Sequence, residues 1–107
     1  MIVRGGKRFF VPSVAFTGFQ DHAVGELYDQ IIPYLAHLPI FTGPIKVETI
    51  FDIPGKTRVD GDNLHTSILD VLQTAQIIDD DKHVYKGSYL KRMGAPVWKV
   101  TIRIDEI

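Results

Sequence analysis

The chain has 107 residues, 45% of them hydrophobic, and a formal net charge of −1. That length is one domain's worth, 1–107 in a single unit, and the apolar content excludes a disordered chain. It holds no cysteine, which excludes disulfide frameworks and thiolate zinc sites and is compatible with a reducing cytoplasm.

No apolar run reaches the roughly 18–20 residues that a membrane span needs. Arg4, Lys7 and Arg8 have no apolar stretch behind them, so the start does not read as a leader. The first strand is expected over Lys7 to Val11, stopped by Pro12. Val24, Leu27, Tyr28, Ile31 and Leu35 then recur at spacings of three and four, one buried helical face. Pro33 is expected to end or kink that helix, because it cannot donate the backbone bond. Pro39 and Thr42-Gly43-Pro44 form a turn.

Ile45 to Ile53 alternates, with Ile45, Val47, Thr49, Phe51 and Ile53 on one face and Lys46, Glu48 and Asp52 on the other, a half-buried strand. A loop from Lys56 to Gly61 leads to a second helix, N-capped by Asp62 and carried by Leu64, Ile68, Val71, Leu72 and Ala75. Thr66 and Asp70 share its opposite face. Strands over Val84 to Leu90 and Val97 to Ile104 close the chain as a pair, turned at Met93-Gly94-Ala95-Pro96. The order β-α-β-α-β-β predicts an α+β domain with helices packed on one mixed or antiparallel sheet.

The net charge of −1 argues weakly against nucleic acid, but the distribution says more than the sum. Acids cluster at Asp60, Asp62, Asp70 and Asp79 to Asp81. Bases cluster at Arg4 to Arg8, at Lys56 and Arg58, and from Lys82 to Arg92. Asp60-Gly61-Asp62 followed, one helix later, by Asp79-Asp80-Asp81 has two readings. The acids are caps and turn residues, or they converge on a hard oxygen-seeking cation such as Mg²⁺ or Mn²⁺, if the helix lies back along the sheet and both loops meet at one end. His22, His37, His65 and His83 form no metal pattern, and His65 reads as an exposed helix residue. Trp98 and the Phe9-Phe10 pair read as core. Lys86, Lys91 and Arg92 together read as a phosphate-facing edge.

Asp60-Gly61-Asp62-Asn63-Leu64, Asp70-Val71-Leu72 and Ile78-Asp79-Asp80-Asp81 resemble the core of the RusA family of Holliday junction resolvases, most specifically over Asp60 to Val84. The resemblance implies a Mg²⁺-dependent endonuclease, with Mn²⁺ as a substitute, that acts in the cytoplasm as a homodimer on four-way DNA junctions. It implies catalytic, metal-holding carboxylates at Asp60, Asp62 and Asp81, with Asp80 as the first acid of the later pair. The family carries a Lys four residues after the second motif acid, where this chain has Thr66. Lys82, Lys56 and Arg58 are the candidate substitutes, and Lys7, Arg8, Lys91 and Arg92 the further DNA contacts. The departure at Thr66 leaves a second reading, a DNA-binding module that has lost cleavage. Two more readings stand beside it, a domain whose acids are only caps and a phosphoesterase indifferent to junction geometry.

Overall fold

The computed structural model describes residues 7–16, 23–55, 61–78 and 80–107, and within them the side chains of all but residues 12, 13, 16, 23–28, 61, 62 and 81. In these residues four strands and two helices form two layers. They are β1 (Arg8–Phe16), α1 (Ala23–Leu35), β2 (Ile45–Pro54), α2 (Gly61–Thr74), β3 (Val84–Ala95) and β4 (Trp98–Glu106), with a short 3₁₀ turn, Asp81–His83, leading into β3. The sheet order is β1-β4-β2-β3. β1 and β2 each pair antiparallel with β4, whereas β2 and β3 run parallel, so the sheet is mixed.

The alternation in β2 fixes which side of the sheet faces the helices. Ile45, Val47, Thr49, Phe51 and Ile53 are all buried, and the residues between them are half-buried. Val100, Ile102 and Ile104 of β4 face the same way and are no more than 1% exposed. Ile31 and Leu35 of α1 and Leu64, Ile68, Val71 and Leu72 of α2 close over them in one cluster. Each such side chain taken from water contributes about 1.5–3 kcal/mol. Trp98 packs half-buried on the rim. Phe9 meets Phe41 edge to face at 5.2 Å, while Phe10, on the other side of the strand, is 47% exposed, so the aromatic pair is split between core and solvent.

Pro12 does not stop the strand it was expected to stop. Pro12 lies within β1, where the register with β4 shifts between Val11 and Val14. β1 is an edge strand, and a bulge on an edge has no need of the missing N–H. Pro33 lies inside α1, exposed, and the helix continues through it for two residues. α2 starts at Gly61, so Asp62 sits within its first turn rather than capping it. The helix stops at a left-handed Gln76 (φ 60°), where the Ile77 N–H reaches the Leu72 carbonyl at 2.9 Å and the Gln76 N–H reaches that of Gln73 at 3.0 Å. These two bonds satisfy carbonyls that the helix end would leave open.

The closing strands are not paired with each other. β2 lies between β3 and β4, and the Pro96-Val97 link crosses beyond its end. There the Gly94 N–H donates to the Gly55 carbonyl at 3.1 Å, with Gly94 at φ 84° and Gly55 at φ 56°, backbone that favours glycine. β3 therefore runs on to Ala95, through the residues expected to turn.

Candidate nuclease site on the helix-covered face

α2 returns antiparallel to β2. His65 in its second turn meets Thr49 in the middle of β2, while Ile78, past its end, bridges to Phe41, upstream of β2. Asp62, one turn before His65, therefore lies toward the β2 C-terminal end, and Asp81 lies beyond the opposite end of the helix, where Val84 pairs with Ile45. From the level of Thr49 to that of Ile45 is on the order of 13 Å at strand rise. The return of the helix along the sheet is as expected, but it sets the backbones of Asp62 and Asp81 at opposite ends of α2 instead of at one. Asp60, Lys56 and Arg58 lie outside the described residues, as do the side chains of Asp62 and Asp81.

Asp80 serves the turn it belongs to. Its Oδ1 accepts the Lys82 N–H at 2.8 Å and its carbonyl accepts the His83 N–H at 3.3 Å, a cap for the 3₁₀ turn into β3. Thr66 and Asp70 are exposed on the outer side of α2, as expected.

The register sorts the basic residues by face. Lys91 pairs with Phe51 and Tyr89 with Thr49, so both stand on the helix-covered face with Asp62. That part of β3 projects past the helix. Tyr89 and Met93 are 41% and 50% exposed, and Lys91 is exposed beside them. Arg92 stands on the other face, where its Nε and Nη2 donate to Asp52 at 2.7 and 2.9 Å. The hydrogen bond to Asp52, and then its charge, raise the Arg92 pKa. Arg8 likewise donates to Asp105 at 2.8 Å on that open face. Arg103, between Glu48 and Asp105, continues the charged tiling. Of the expected DNA contacts, Arg8 and Arg92 stand on the open face beside the sheet's own carboxylates, and Lys91 stands on the helix-covered face. Lys7 and Lys82 are exposed elsewhere.

One residue of this site escapes the sequence pattern. His65 is half-buried rather than exposed, and its Nδ1 lies 2.9 Å from Thr49 Oγ1. The available signal was Thr49 itself, a hydroxyl on the buried face of β2 that needs a partner.

All the candidate donors are carboxylates, oxygen ligands suited to a hard divalent cation. Their chemistry fits such an ion, while the backbone of Asp62 lies at one end of α2 and those of Asp80 and Asp81 lie beyond the other. Among the described residues no helix is long and apolar enough to cross a membrane. A family model described as Endodeoxyribonuclease RusA matches residues 28–105. No curated protein matches the chain.

Proposed function

The chain belongs to the RusA endodeoxyribonuclease family, and from that membership we propose that it is a divalent-cation-dependent nuclease that resolves four-way DNA junctions in the cytoplasm. The observation that carries this reading is the family match running through Asp60-Gly61-Asp62-Asn63-Leu64, a segment that leads into the first turn of α2. Asp60, Asp62 and Asp81 would hold Mg²⁺, or Mn²⁺ in its place. The bound ion supplies Lewis-acid charge and an activated water for phosphodiester hydrolysis. The chain's own residues position the substrate. The first turn of α2 favours the negative charge of Asp62 through the helix dipole. Lys91 offers a cation to a phosphate on the same face, and Tyr89 and Met93 offer apolar contact beside it. Thr66 carries no charge, so on this reading the neighbouring cation comes from Lys91 or from Lys56, Arg58 and Lys82.

The separation of Asp62 from Asp81 along α2 favours a second element of the proposal. The protein acts as a homodimer, matching the two-fold character of a junction, and Asp62 of one copy shares its ion with Asp81 of the other. One assay tests both elements. Nicking of labelled four-way junction, linear duplex and single strand is measured with Mg²⁺, Mn²⁺ or chelator. The wild type is expected to cut the junction alone, and Asp62→Asn and Asp81→Asn each to fall to background while still binding it. Retained cleavage by Asp62→Asn removes the carboxylate assignment. Binding without cleavage by the wild type under every metal selects the degenerate module, with Thr66 as its first suspect. Mixing the two inactive variants restores cleavage if the site is shared between copies, because one of the two sites in a mixed dimer is then intact. It restores nothing if each copy holds its own site.

A further inference from the structure

His65 occupies a seat built from three strand positions. Thr49, 0% exposed on β2, meets its Nδ1 at 2.9 Å. Gly87, on the adjoining β3, lies under the ring. A Cβ added there would stand 2.7 Å from His65 Nε2, 3.5 Å from Cε1 and 3.7 Å from Cδ2, and the three nearest atoms all belong to that one imidazole. Tyr89, two residues on, brings its ring centroid to 6.4 Å from that of His65. Glycine within a strand costs backbone entropy and forgoes a packing side chain, and here the missing side chain is the space that the imidazole fills. A hydroxyl buried in the apolar face of β2 is costly without a partner, and here the partner is the same ring.

Apolar packing alone lets a helix slide or roll by fractions of a turn over a sheet. A directional hydrogen bond to a fixed strand position, with a ring seated on a gap in the next strand, removes that freedom. The constraint acts at the second turn of α2, and Asp62 is three residues, or one turn, away. We propose that the His65, Thr49 and Gly87 contact is a positioning device that sets the height and rotation of the first turn of α2, and through it the metal-holding Asp62. The inference rests on the nuclease reading for the role of Asp62. His65 is a positioning residue here, acting through the helix backbone. Groups that orient metal ligands characteristically change metal affinity or activity by about 10–100-fold when removed.

Two substitutions disturb the seat from outside the helix. Thr49→Val keeps the shape and removes the hydroxyl. Gly87→Ala introduces a methyl group whose three nearest atoms all belong to the His65 ring, so the ring is displaced and the fold is kept. For each, the half-saturating Mg²⁺ for junction cleavage is expected to rise about tenfold and kcat to fall, with KM for junction unchanged. Hydrogen exchange at the amides of residues 65–68, which α2 bonds back to its own first turn, is expected to quicken by a similar factor. His65→Asn, whose amide stands where Nδ1 does, restores most of the wild-type behaviour, and His65→Ala does not. Gly87→Ala added to His65→Ala brings no further change, because the atom that the methyl group would stand closest to is then gone. The proposal is overturned if the Mg²⁺ midpoint and the exchange of residues 65–68 stay at wild-type values in both Thr49→Val and Gly87→Ala. It is equally overturned if Gly87→Ala has its full effect without the histidine. If the wild type cleaves nothing, the nuclease reading has failed, and the exchange measurement still decides whether the seat fixes the helix.

Discussion

β2 and β3 are parallel neighbours with opposite environments. β2 has a strand on each side and helices above, and its alternate residues are buried along its whole length. Among the described residues, β3 has one strand beside it and is exposed at nearly every position, with Tyr85 69% and Leu90 52% exposed. Similar backbone therefore serves two ends. β2 holds the domain together, and β3 presents side chains to whatever approaches its free side. A long exposed edge invites pairing with other chains, and charged residues on it are a common defence. Lys86, Lys91 and Arg92 stand on this one.

The largest effect that would sharpen the contrast is at Phe51, 0% exposed in the middle of β2. Phe51→Ala is expected to cost about 3–5 kcal/mol in urea unfolding, much of the stability of a domain of this size. Lys91, paired with Phe51 across the ladder, is expected to do the reverse. Lys91→Ala changes stability by no more than about 0.5 kcal/mol. It weakens junction binding and lowers the salt dependence of affinity by about one phosphate contact. A loss of stability at Lys91 equal to that at Phe51 would break the comparison. The smallest effect belongs to Arg92, which is tied to Asp52 on the open face. Arg92→Ala is expected to leave junction affinity and its salt slope unchanged. A drop matching that of Lys91 would place DNA on the open face instead.

How much of this was legible depends on what a pattern can report. Alternation reports a face, so the buried sides of β2 and β4 and the apolar faces of both helices were readable from Ile45, Val100, Ile31 and Leu64 onward. Alternation does not report a partner. The separation of β3 from β4 by β2 has no local signature, because a short link is equally compatible with a hairpin and with a crossing over a strand end. Pro12 was misjudged because the cost of a proline depends on whether an N–H is needed at that place, and β1 is an edge strand among the described residues. The family resemblance pointed to the carboxylates. It said nothing of His65, a single half-polar residue that adds nothing to a periodicity and acquires meaning only beside Thr49 and Gly87.

Among the described residues, the outer strand β1 finds its strand partner in the last strand of the chain. Arg8 and Asp105, joined by a hydrogen bond, are 97 positions apart, and β4 also supplies one flank of β2. β1, β2 and β4 thus wait on the final segment before their ladders close. Such distant pairings delay the reward for ordering the chain and slow folding. During synthesis the helices and the β2-β3 pair are available first, while the opposite side of β2 stays open until β4 has left the ribosome. For this domain, commitment to the native state waits on the arrival of β4, and a chain cut short before Trp98 leaves the centre of its sheet as a second unprotected edge.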